Sequence, residues 1–212
     1  MKNAFLWLAL ALGIAACTTT AQNPTPMPIT DYASAWRQID TLASENKVRD
    51  AMLVAESILA KARAEGESVQ EVKALLHTFL FSQPTEEKAD SLILAKLNTQ
   101  IAASEFPTKN LLHAYMGEFY WKYYQRNRWR FHNRTKTQVK PEDFETWDTE
   151  TLMEAAGEQF VLALDQPDKL FALPITKYKP LLNEGHESEK YRPTVYDLLA
   201  HRALDFYANT ET

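Results

Sequence analysis

The sequence predicts an all-α fold of antiparallel helical hairpins packed into a short solenoid or bundle. Three observations carry this reading. Only five glycines occur in 212 residues. Beyond residue 30 there is no alternating strand pattern bounded by hairpin turns. Apolar residues recur instead at the spacings of three and four that place them on one face of a helix.

The first helix is read from "TDYASAWRQIDTLASENK", where Tyr32, Trp36, Ile39 and Leu42 share a face and Thr30 or Asp31 is placed to cap the start. "VRDAMLVAESILAKARAEG" repeats the pattern with Ala51, Val54, Ala55, Ile58 and Leu59, and Gly66 suits the C-terminal stop. A third helix, "SVQEVKALLHTFLFSQP", turns Val69, Val72, Leu75, Leu76, Phe79 and Leu80 inward and ends by Pro84. Very short turns join the three, so neighbours run antiparallel. The bulky Trp36 followed by the small Ala51 and Ala55 resembles one tetratricopeptide unit, without a clean 34-residue period beyond it.

"TEEKADSLILAKLNTQIAASEFP" gives a fourth helix with Leu92, Ile93, Leu97 and Ile101 inward, and Pro107 opens the fifth. That fifth helix, "TKNLLHAYMGEFYWKYYQRNRWRF", is the richest aromatic segment. Leu111, Leu112, Tyr115, Phe119 and Tyr123 lie near one face, and Tyr120, Trp121 and Tyr124 widen it. After a polar loop, "DTETLMEAAGEQFVLAL" carries Leu152, Ala156, Phe160 and Leu164. A looser stretch runs to Arg192, and Pro193 suits the first turn of the last helix, "PTVYDLLAHRALDFYA".

The N-terminal residues say more about location than chemistry. Lys2 precedes an apolar run from Ala4 to Ala16, shorter than the roughly 20 residues a spanning helix needs and suited to a secretory signal. Ile14-Ala15-Ala16-Cys17 resembles the lipobox of bacterial lipoproteins, which implies cleavage before Cys17 and acylation of that residue. Burial of methylenes at about 0.8 kcal/mol each makes three acyl chains a permanent anchor. The alternative is an ordinary secretory signal that leaves a free thiol. Cys17 is the only cysteine, so neither an intrachain disulfide nor a thiolate metal cluster is possible. "TTTAQNPTPMPIT" is uncharged, with Pro24, Pro26 and Pro28, and reads as an extended tether. The expected organisation is a signal peptide over 1–16, a lipidated cysteine and tether over 17–30, and one helical domain over 31–212.

Removing residues 1–16 takes away Lys2 and no acid, leaving 22 basic and 28 acidic residues and a net charge of −6. This mild acidity argues against nucleic acid as a partner. Two clusters stand out locally. Between Lys122 and Lys140 lie seven basic residues and no acid, interleaved with rings. Tyr124, Arg126, Arg128, Trp129, Arg130 and Arg134 are its candidate partner-binding residues, against the plainer reading that the rings pack inward and the cationic heads reach water or carboxylates. On the last helix Asp197, His201 and Asp205 stack at intervals of four. That stripe could hold a divalent metal, though carboxylates orienting a histidine at a helix contact is the stronger expectation. No Gly-x-Ser-x-Gly elbow, phosphate-binding loop or dinucleotide fingerprint is present, so neither enzymatic activity nor a cofactor is expected.

The segments "YASAWRQIDTLASENKVRDAMLVAESILAKA", "VKALLHTFLF", "FYWKYYQRNRWRF", "WDTETL" and "YRPTVYDLLAHRALDFY" resemble the N-terminal helical region of large alpha-2-macroglobulin-family lipoproteins of Bacteroidetes-type bacteria. The resemblance spans Asp31 to Tyr207 and rests on the order and spacing of segments. It implies a membrane-proximal module of a protease trap, an endopeptidase inhibitor of the cell envelope. The family's Cys-x-x-Gln thioester motif and its macroglobulin domains are absent from these residues, so any trapping requires those domains on a longer or separate chain. A free-standing lipoprotein adaptor with a concave peptide-binding face is the alternative from a different class. A metal-dependent hydrolase built on the Asp197 stripe is a third. Thr18 after the anchor does not resemble an inner-membrane retention signal, which leans localisation toward the outer membrane.

Overall fold

Of the two residues the sequence places to cap the first helix, Asp31 does so: its backbone is extended and its carboxylate accepts the Ser34 N–H at 2.8 Å, satisfying one of the otherwise orphan donors of the first turn. In the computed structural model, which describes residues 29–82, 89–132, 134, 140–182 and 188–209, helix α1 (Tyr32–Ser44) is followed by α2 (Val48–Glu65) and α3 (Ser68–Ser82). Gly66 closes α2 in the left-handed region (φ 71°), where a side chain would be strained. The N–H groups of Gly66 and Glu67 reach back to Arg63 and Ala62.

Trp36 and Ile39 of α1 pack on Ala51, Val54, Ala55 and Ile58 of α2 and on Ala74 and Phe81 of α3. The alanines let the helices approach, and the Trp36 indole N–H finds Gln70 at 2.7 Å. Ile29, expected in the tether, packs against this cluster instead. Helix α3 is covered on two sides: Ala74 and Phe81, seven apart, face the N-terminal hairpin, while Leu75 and Phe79, four apart, face the central core. Leu80, expected inward, falls opposite that combined arc and is exposed, and Phe81 is buried in its place.

Helix α4 (Ala89–Ala103) buries Ile93, Leu94, Leu97 and Ile101. Leu92, expected inward, lies about one residue's turn outside that arc and is exposed, with Leu94 taking its role.

Helix α5 (Thr108–Phe131), 24 residues long, is the central strut. Its regular geometry breaks at Asn127 (φ −115°, ψ 18°), whose side-chain amide donates to the Tyr123 carbonyl at 2.8 Å. A 3-10 turn at Phe144–Thr146 leads to Asp148, which caps α6 (Thr149–Ala163) by accepting the Thr151 N–H at 2.8 Å. Helices α5 and α6 lie close because Gly117 has no side chain: a Cβ there would sit 3.0 Å from the Phe160 ring. The buried Asn110 amide donates to the carbonyls of Ala163 and Asp165, satisfying the end of α6.

The looser stretch is locally ordered as α7 (Pro167–Phe171), a 3-10 helix at Ile175–Leu181 and α8 (Ser188–Tyr191). Helix α9 (Val195–Tyr207) completes the described chain. Pro193 is not in its first turn. Thr194 forms a capping box with Asp197 and takes the cap position, which leaves Pro193 outside, where its carbonyl accepts the Ile175 N–H at 2.9 Å. Among the described residues there is no strand, only an isolated antiparallel bridge between Pro174 and Thr194.

Candidate functional site

The basic–aromatic segment folds largely onto itself and its neighbours. Tyr123 and Phe131 are buried with Tyr120, Phe144 and Trp147 in one aromatic cluster, the Tyr123 and Phe144 ring centroids 4.8 Å apart. Burial pushes the Tyr120 hydroxyl up to about 12. The cations are engaged in turn. Arg126 pairs with Asp90 at 3.1 Å, Arg130 donates to the Tyr123 hydroxyl at 3.3 Å, and Arg134 donates to the Trp147 carbonyl at 2.6 Å. Arg128 lies 5.9 Å from the centroid of the half-buried Tyr124 ring, and Lys140 lies 4.1 Å from that of Trp147. Trp129 differs from the others: it is 75 % exposed.

The Asp197–His201–Asp205 stripe is divided by the cap. Asp197 accepts from the Thr194 N–H at 2.9 Å and from its hydroxyl at 2.7 Å, so its carboxylate serves the start of α9. Among the described residues no group of three or more histidine, cysteine, aspartate or glutamate side chains is placed to hold a metal ion. His201 and Asp205 instead line a cavity of about 510 Å³ between α5, the 3-10 helix and α9. Trp121, Phe160, Leu198 and Phe206 form apolar walls, with the Trp121 and Phe206 rings edge-to-face at 5.6 Å. Glu118 spans the wall, pairing with Lys122 at 3.2 Å on its own helix and with Arg202 on α9. Burial lowers the Arg202 guanidinium from its ordinary value, with nearby Asp205 opposing the shift. The cavity thus joins two segments more than 60 residues apart that the sequence singles out separately, "FYWKYYQ" and "YRPTVYDLLAHRALDFY".

On the other side of α9 an apolar face is left open. Val161 and Leu162 of α6 are 65 % and 46 % exposed, and Tyr207 of α9 is 54 % exposed. Met153, Gly157, Val161, Leu162 and Tyr207 line one shallow depression there, edged by the exposed carboxylates of Glu154 and Glu158. Gly157 lets Tyr207 lie across α6, since a Cβ would come within 2.9 Å of its hydroxyl. Sequence periodicity does not reveal this face. Leu152, Ala156 and Phe160 satisfy the inward stripe of α6, and nothing marks Val161 and Leu162 as left over.

Cys17, the signal segment 1–16 and the tether up to residue 28 lie outside the described residues, as does Lys136. Among the described residues no helix is long and apolar enough to cross a membrane. No protein-family model matches the chain, and neither does any curated protein or solved structure.

Proposed function

We propose that this protein is a lipid-anchored, non-enzymatic module of the bacterial cell envelope. In this reading it corresponds to the N-terminal helical part of an alpha-2-macroglobulin-type protease trap and docks against macroglobulin domains through the α6–α9 face. The observation that carries the docking role is the exposure of Val161, Leu162 and Tyr207 around one depression between two adjacent helices. Large apolar side chains gathered on a surface are a feature of interaction sites, because leaving them in water forfeits the hydrophobic gain of covering them. The resemblance of the quoted segments supplies the family, and the Ile14-Ala15-Ala16-Cys17 sequence supplies the anchor, with the outer membrane as its place.

Crosslinking in membranes of the native organism, followed by purification and intact-mass analysis, tests this. The expected result is a chain beginning at an acylated Cys17, joined to macroglobulin domains either covalently or as a crosslinked partner. An unacylated product, or a crosslinked partner without such domains, contradicts it. A second reading, a free-standing envelope adaptor, is favoured by the exposure of Trp129 at the cationic end of α5. It predicts an unrelated partner bound at Trp129.

A further inference from the structure

We propose that the cavity between α5, the 3-10 helix Ile175–Leu181 and α9 binds a small apolar monocarboxylate, its hydrocarbon or aryl body against Trp121, Phe160 and Phe206 and its carboxylate on Arg192. This inference holds whether or not the α6–α9 face docks a macroglobulin domain. It rests on shape and on a charge tally around the cavity. A volume of about 510 Å³ lies inside the roughly 300–1,000 Å³ range of small-ligand sites, and aromatic walls with a few convergent polar groups are the usual lining of such sites.

Among the described residues, four cations, Lys122, Lys179, Arg192 and Arg202, face three carboxylates, Glu118, Glu189 and Asp205. Glu118 is used on both oxygens, by Lys122 and by Arg202. Glu189 is taken by Lys179. Asp205 interacts electrostatically with Arg202, whose half-buried charge it helps to balance. Arg192 is what remains: among the described residues it makes no hydrogen bond, ion pair or ring contact, and it lines the cavity. Its planar guanidinium offers paired donors that match a carboxylate, whereas a cationic ligand would meet its unbalanced positive charge. The other polar lining residues, Gln125 and His201, add no carboxylate to this tally.

Equilibrium dialysis of the full chain in a nonionic detergent, with detergent alone as blank, tests this using three size-matched probes: 5-phenylvalerate, 5-phenylpentanol and 5-phenylpentylamine. The expected result is saturable binding of the carboxylate with a dissociation constant of about 1 mM or tighter, the magnitude that some thirteen heavy atoms support. The alcohol should bind about tenfold more weakly and the amine more weakly still. Arg192→Gln, at an exposed position that leaves the core untouched, should weaken the carboxylate about tenfold and leave the alcohol unchanged. Leu198→Trp should abolish binding of all three by filling the cavity, with an unchanged circular-dichroism spectrum confirming the fold. Equal affinity for the three probes overturns the inference. So does the absence of saturable carboxylate binding up to about 10 mM, or carboxylate binding that Arg192→Gln leaves intact.

Discussion

The cationic end of α5 and the open face of α6–α9 invert what composition suggests about them. The first has seven basic residues and a run of rings between Lys122 and Lys140, the usual ingredients of a binding surface. Yet Tyr120, Tyr123, Phe131, Phe144 and Trp147 are buried together, and Arg126, Arg130 and Arg134 have intramolecular partners. The second has no motif at all, and it leaves Val161, Leu162 and Tyr207 in water. Composition reports what a segment could bind, whereas packing reports what the fold has already bound. The difference between the two is the surface left for a partner, and among the described residues of the cationic end the large exposed apolar side chain is Trp129.

The aromatic cluster centres on Phe144, whose ring contacts Phe119, Tyr120, Tyr123 and Trp147 at once. Phe144→Ala should lower unfolding stability by about 3–5 kcal/mol in urea melts, because it leaves a cavity among rings that cannot collapse. Leu162→Ser on the open face should stay within about 0.5 kcal/mol of the parent. Equal costs would mean that the aromatic cluster is no more structural than the face.

Next come the two glycines of the α5–α6 and α6–α9 seams. Gly117→Ala drives a methyl group into the fully buried Phe160 ring and should cost about 1–3 kcal/mol. Gly157→Ala meets only the tip of the exposed Tyr207, which can swing away, so the gain in helix propensity of about 1 kcal/mol should leave stability unchanged or raised. The second variant sharpens the comparison, since displacing Tyr207 reshapes the open face without unfolding it and should reduce partner capture in the crosslinking assay.

Thr194→Ala should cost about 1 kcal/mol by removing the α9 cap, measured by thermal melting. Smallest of all, Arg126→Ala should cost less than about 1 kcal/mol, its partner Asp90 being solvent-accessible and the pair screened by salt. A larger loss would show that the cationic end holds the fold through its charges as well as its rings.

The helices themselves were legible in the sequence because each carries its own periodicity and its own punctuation, as Asp31 and Gly66 show. What escaped depends on a neighbour. Leu80 and Leu92 satisfy a helical stripe in isolation, but the true buried arc of each helix is set by the helices that flank it, which select Phe81 and Leu94. Pro193 is suited to a first helical turn, yet the Thr194–Asp197 capping box fixes the start one residue beyond it. Asn110 tying off the end of α6 spans more than 50 residues and leaves no local signal. The stripe at 197, 201 and 205 has the spacing of a ligand set, and local capping claims its first member. The cavity required Glu118 and Arg202 to meet across the fold, which no spacing rule encodes.

We propose that the partner surface lies on the α6–α9 face. A photo-crosslinking amino acid placed at position 162, and separately at position 129, in the full chain in native membranes tests it most directly. The expected result is a crosslink to macroglobulin domains from position 162 and none from position 129. A crosslink from position 129 alone would contradict it and leave the adaptor reading, with Trp129 as its contact.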